Sequence, residues 1–178
     1  MTRLIRSSAV SLLLVCASGC AMHARADARS APSAPVQKAL GGTIESQDPA
    51  LAAALLRLAL IPTPAHHRAV ADEYRRLQVL DAAFDHLSAA TRLNPQDAAA
   101  YDARARIWRD WGYPQLGMAD SARAVFYAPR SAAAHNTRGT LLAAAGFKED
   151  ALREFEAALA LDPEAAFAQI NKCRLVAC

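Results

Sequence analysis

Three prolines, Pro95, Pro129 and Pro163, stand 34 residues apart, and each closes a similar tripeptide: Leu93-Asn94-Pro95, Tyr127-Ala128-Pro129 and Leu161-Asp162-Pro163. A fixed period of this length means that one supersecondary unit is copied along the chain. Such a unit cannot bury its apolar face alone and must stack on its neighbours. The frame is filled consistently. With each proline counted as position 32, position 8 is Ala71, Ala105 and Gly139, position 20 is Ala83, Gly117 and Ala151, and position 27 is Ala90, Ala124 and Ala158. Small side chains returning in phase let two helices cross closely. Larger ones return between them, Tyr74, Trp108 and Leu142 at position 11 and Leu87, Ser121 and Phe155 at position 24, to fill the space the helices enclose. Position 15, the turn, is Gln78, Gly112 and Gly146, and glycine there takes the left-handed conformation that ends a helix. Composition agrees: 53% of the 178 residues are hydrophobic but 6% aromatic, so the apolar content is alanine and leucine, which favour helices over a sandwich or barrel.

This pattern resembles the tetratricopeptide repeat, a helix-turn-helix unit of 34 residues. The resemblance implies an all-α helical-hairpin array, an α-solenoid of about three repeats over residues 64–97, 98–131 and 132–165. The third is the closest to the family pattern, with Gly139, Gly146-Phe147, Ala151, Phe155 and Ala158 in place. The second departs at Ser121 and carries Pro114 at the first turn of its second helix, where proline is tolerated. The first has Gln78 in place of the turn glycine. Flanking helices are expected at both ends. Residues 50–60 follow an Asp48-Pro49 cap, stop before Pro62 and Pro64, and cover the open side of the first repeat. Residues 166–176 continue the frame as one further first-type helix with Cys173 at the small position 8, so the array spans 48–178.

Ahead of it, residues 1–19 have a basic start (Arg3, Arg6), a short charge-free middle around Leu12-Leu13-Leu14 and small residues after it, the plan of an export signal. The charge-free run is too short to span a bilayer, which takes about 20 residues. Ala17-Ser18-Gly19-Cys20 resembles the bacterial lipobox, which implies acylation of Cys20, and Ala21 behind it implies an outer-membrane anchor facing the periplasm. Cleavage after Ala24-Arg25-Ala26 or Ala26-Asp27-Ala28, giving a soluble periplasmic protein, is the alternative. Residues 20–47 are small, polar and broken by proline and glycine, and are expected to be a flexible tether.

Catalytic chemistry has no foothold in these residues: there is no GxSxG, no phosphate-cradling glycine loop and no HExxH, so neither an enzyme nor a cofactor or metal site is expected. His67 and His135 occupy equivalent repeat positions, which explains them without a metal, and His86 is expected to face solvent. Removing Arg3 and Arg6 from the 20 basic residues leaves 18 against 17 acidic, too even a balance for a nucleic-acid binder. Cys173 and Cys178 would meet only if the last helical turn unwound, because residues five apart in a helix lie about 8–9 Å apart and bridging requires roughly 7 Å or less. Cys173 is expected to be packed and Cys178 to lie near the terminus.

The resemblance implies that the first helices line a groove for a partner peptide. In this chain the groove positions are Arg68, Asp72, Arg75 and Arg76, then Asp102, Arg106, Arg109 and Asp110, then Asn136 and Thr140. Arg68, Arg75, Arg106, Arg109 and Asn136 are the partner-binding candidates, and the arginine excess suggests a polar or acidic segment. The Lys/Asn clamp that grips terminal carboxylates in some relatives is not reproduced, since Asp72 stands where its asparagine would be. The expected function is that of a non-enzymatic envelope lipoprotein scaffolding a protein assembly through this groove. The alternative is an accessory subunit of an envelope enzyme or of a secretion- or pilus-type machine, docking through convex or C-terminal surfaces.

Overall fold

A computed structural model describes residues 43–176. Among them there are helices and turns and no strand: α1 (Ile44–Gln47), α2 (Pro49–Leu60), α3 (Pro64–Arg76), α4 (Leu80–Leu93), α5 (Ala98–Asp110), α6 (Pro114–Tyr127), α7 (Ala132–Ala144), α8 (Lys148–Leu161) and α9 (Ala166–Val176). The expected all-α array of helical hairpins is the observed fold.

The two kinds of helix start differently. First-type helices have side-chain caps: the Thr63, Asp97 and Ser131 oxygens accept from the backbone N–H of His66, Ala100 and Ala134 at 3.2, 3.1 and 3.2 Å. Each satisfies one of the donors a helix start leaves open. The flanking α2 is capped in the same way, Asp48 accepting from Leu51 N–H at 2.8 Å with Pro49 in the first turn. Second-type helices have no side-chain cap and are entered through a left-handed turn instead. Gln78, Gly112 and Gly146 have φ of 61°, 83° and 92°. Around each, the same bond pair recurs. Val79, Tyr113 and Phe147 donate back to Tyr74, Trp108 and Leu142 carbonyls at 2.8, 2.9 and 2.9 Å, while Gln78, Gly112 and Gly146 donate to Arg75, Arg109 and Ala143. This is the Schellman closure, and it sets the hairpin angle in all three repeats.

Every one of the nine recurring small residues is buried, as the frame requires. At Gly117 a Cβ would lie 2.9 Å from the Ala105 carbonyl oxygen, and at Gly139 it would lie 2.5 Å from the Phe155 ring. Within each hairpin α3 packs on α4, α5 on α6 and α7 on α8, and successive hairpins join through α4–α5, α6–α7 and α5–α7. Leu51, Leu87, Ile107, Leu141 and Phe155 are essentially inaccessible, each contributing about 1.5–3 kcal/mol by area removed from water. Position 11 is less uniform: Tyr74 and Leu142 are buried, while Trp108 is half-buried and meets Phe84 edge-on at 5.0 Å.

Three expectations change. Residues 43–47 do not belong to a tether: α1 packs on α2, and Tyr74 Oη donates to Glu45 Oε1 at 3.0 Å, because Tyr74 needs a partner for its buried hydroxyl. Residues 1–42, with the leader, Cys20 and the rest of the tether, lie outside the described residues. His86 does not face solvent; it is half-buried, stacked on Tyr74 at 5.7 Å with its Nδ1 3.1 Å from Nδ1 of His67. In α9 the buried small residue is Ala168, whereas Cys173 is exposed and disulfide-bonded.

A polar device joins the repeats. Arg104 Nε and Nη2 donate to Asp120 Oδ2 and Oδ1 at 2.7 and 2.8 Å, and Arg104 Nη1 reaches Ser88 and Thr91 hydroxyls of the preceding hairpin at 3.2 Å. The guanidinium also lies 5.7 Å from the Phe84 ring centre and 5.6 Å from that of Tyr101. Arg138 and Glu154, one period later, repeat the ion pair at 3.2 Å.

Candidate functional site

The first helices of the hairpins, together with α9, border an open groove of about 600 Å³. Its polar side is Arg75 from α3, Arg106 and Arg109 from α5, Asn136 and Thr140 from α7 and Asn171 from α9. Its apolar side is Ala132 and Ala133 from α7 with Phe167 and Ala168 from α9. The volume lies within the range of ligand sites. Second-type helices contribute nothing to it.

Four of the five predicted partner-binding residues, Arg75, Arg106, Arg109 and Asn136, come together here. Arg68 does not. Its Nε lies 3.0 Å from Asp97 Oδ2, so Arg68 fastens the capping residue of α5 to α3. Arg76 is likewise taken up elsewhere, by Asp48 at 2.6 Å and Glu73 at 2.8 Å. Cys20 lies outside the described residues.

The charge balance of the groove differs from the arginine excess expected from sequence. Arg75 pairs with Asp72 at 3.1 Å, Arg106 with Asp102, and Arg109 with Asp110 at 2.7 Å. Asp162 adds a further carboxylate to the lining. Counting residues on one helix face could not reveal this, since the pairing depends on which way each side chain turns. Asp102 is buried against Arg106, and its Oδ1 has no hydrogen-bond partner among the described residues.

A second, smaller cavity of about 360 Å³ adjoins the groove where α7 and α9 part, sharing Arg109, Thr140 and Asn171 with it. Its floor is Ala143, Phe155 and Leu175 and its rim carries Arg174. Asn171 Nδ2 donates to Asn136 Oδ1 at 2.9 Å across the seam, holding α9 against α7. Phe167, Asn171 and Arg174 were not among the predicted site residues. The repeat frame, which continues into α9, puts Phe167 at position 2 and Arg174 at position 9, both groove positions that an expected groove drawn over three repeats leaves out.

Three side chains away from the groove, His67, His86 and Tyr74, have shifted pKa values. Burial, with the neighbouring Arg92 cation, lowers the His67 pKa, and burial together with His67 lowers that of His86. Burial and the bond to Glu45 push the Tyr74 hydroxyl up to about 12. Among the described residues no three His, Cys, Asp or Glu side chains are grouped to hold a metal ion. The groove offers guanidinium and amide donors, hydroxyls and one exposed ring. These are groups that can recognise a ligand by hydrogen bonding and contact.

No protein-family model and no curated protein matches the chain by sequence. Solved structures do match in shape. The first TPR domain of human RPAP3 is 18% identical, with a TM-score of 0.63 over 65% of this chain and 91% of its own. The first TPR domain of Spaghetti, bound to the HSP90 peptide SRMEEVD, is 18% identical, with a TM-score of 0.62 over 65% of this chain and 92% of its own. A thermophilic TPR protein of Thermus thermophilus is 18% identical, with a TM-score of 0.65 over 74% of this chain and 73% of its own. With the repeated caps, the repeated Schellman turns and nine buried small residues, these likenesses show that the chain folds as a tetratricopeptide-repeat array.

Proposed function

We propose that this protein is a non-enzymatic scaffold of the cell envelope, held to a membrane by a lipid on Cys20, that grips an extended segment of a protein partner in its groove. The observation that carries the reading is the gathering of Arg75, Arg106, Arg109 and Asn136 on one open channel lined by first-type helices. An extended peptide needs many hydrogen-bond partners for its backbone and a seat for alternate side chains. The guanidinium and amide side offers the first, and Phe167 with Ala132 and Ala133 offers the second. The peptide-bound Spaghetti domain, which has the same fold, supports the reading. The anchor rests on residues 1–20 alone, and the outer membrane is its proposed address because Ala21 follows the acylated cysteine.

Affinity capture from crosslinked envelopes tests both halves. Wild-type protein should retain a partner that Arg106→Glu with Asn136→Ala loses, and Cys20→Ser should release the protein from membranes. A partner unaffected by the groove variant rejects the groove, and membrane retention of Cys20→Ser rejects the lipid.

A second reading, an accessory subunit docking through its C-terminal surface, is favoured by Ile170 and Val176, 48% and 47% exposed on α9. Deleting α9 would not separate the readings, because α9 also walls the groove. Ile170→Asp separates them: loss of the partner there with retention in the groove variant selects the second.

A further inference from the structure

Each arginine of the groove has a carboxylate partner and Asp162 adds a further carboxylate, yet one cation beside the groove is not compensated. Arg75, Arg106 and Arg109 each have a carboxylate of this chain as partner. Of the four arginines lining the groove and the adjoining well, only Arg174 forms no ion pair among the described residues. It stands over a floor of Ala143, Phe155 and Leu175, so a positive charge and an apolar seat lie side by side.

A compensated arginine has little long-range field with which to attract an anion, while an uncompensated one beside a low-dielectric floor has more. A carboxylate brought to Arg75 or Arg106 would share a guanidinium whose charge Asp72 or Asp102 already offsets, and Asp102 is too buried to retreat into water. At Arg174 nothing needs displacing. Asn171, with one amide hydrogen given to Asn136, keeps its carbonyl oxygen for a peptide N–H at the junction of groove and well.

We propose that the partner is a polypeptide segment, uncharged where it crosses Arg75, Arg106 and Arg109, that places one carboxylate next to an apolar side chain in the α7–α9 well, with Arg174 taking the charge. The proposal rests on the peptide-groove reading and specifies its chemistry. It moves acid recognition from the centre of the groove to its α9 end.

The test is selection of a randomised short-peptide display library on the full chain and on Arg174→Glu, whose circular dichroism should match wild type because the position is exposed. Wild type should enrich peptides with a single Asp or Glu adjacent to a large apolar residue and no acidic run. Arg174→Glu should lose the acid or replace it with a basic residue. The best wild-type peptide, synthesised with a fluorescent label, should bind Arg174→Glu about tenfold more weakly at low salt, the loss of one favourable charge contact. Enrichment of acids at several positions, or the same acid preference on Arg174→Glu, overturns the proposal and leaves the peptide groove standing. Failure of any peptide to exceed the bare matrix overturns the groove reading and this proposal with it.

Discussion

Gly139→Ala sets two physical effects of opposite sign against each other. Alanine is the better helix former by about 1 kcal/mol in a helix interior such as that of α7. If local propensity governed the position, the substitution would stabilise the protein. The packing says otherwise: the new Cβ would lie 2.5 and 2.7 Å from Cε1 and Cδ1 of Phe155, whose side chain is 1% exposed. Carbon atoms prefer about 3.5–4.0 Å, so α7 and α8 must part by about 1 Å or the ring must leave its rotamer. Overpacking of this kind costs about 1–3 kcal/mol. With the propensity gain subtracted, a net loss of up to about 2 kcal/mol remains. At about 2–4 °C per kcal/mol for a chain of this size, Tm should fall, by up to roughly 8 °C, in a calorimetric scan. Phe155→Leu in the same chain should recover part of the loss, so the double-mutant cycle should show about 1 kcal/mol of favourable coupling. A rise in Tm for Gly139→Ala, or strict additivity with Phe155→Leu, refutes the claim that the small residues exist to let the helices nest.

Asp120→Ala strands the half-buried Arg104 and should cost about 3 kcal/mol, the low end for a broken buried pair because Arg104 keeps some solvent contact; the urea midpoint measures it. The His67–His86 contact predicts a pH dependence. Both folded pKa values lie below the unfolded value of about 6.5, so the pair's stabilisation is complete above that pH and declines as pH falls through the lowered folded values. Melting curves from pH 7.5 to 5 should show the decline in wild type and less of it in His86→Gln, where an equal decline would remove the pair as its cause. Phe167→Ala should leave Tm unchanged, the ring being 78% exposed, and weaken the selected peptide; unchanged peptide affinity would remove Phe167 from the site.

What is visible in the sequence is whatever repeats by residue type. The prolines, the alanines and glycines at the crossings and the glycines at the turns mark hairpin boundaries that hold within a few residues. Gln78 shows the frame overriding composition, since a glutamine takes the left-handed turn because its neighbours on both sides require it. The groove is legible only in part, for two reasons. Arg68 shares a helix face with Arg75, but the Asp97 carboxylate draws it aside, a contact between residues 29 apart that helical spacing does not register. Phe167, Asn171 and Arg174 escape notice because the expected groove is drawn over three repeats only, although the frame runs on through α9 as a further first-type helix. The Arg104–Asp120 and Arg138–Glu154 pairs leave a trace, each partner recurring after 34 residues, but charged residues at helical spacing look the same whether they are solvated or paired across a seam.

The central claim is that the partner lies along the face lined by first-type helices. Site-specific photocrosslinking in the native envelope tests it most directly, with a photoreactive residue placed singly at Ala133 or Thr140 in the groove and at Arg123 or Arg153 on the second-type helices. The account predicts a crosslinked partner band from the groove positions and none from the other two. A band from Arg123 or Arg153 with none from Ala133 and Thr140 would contradict it.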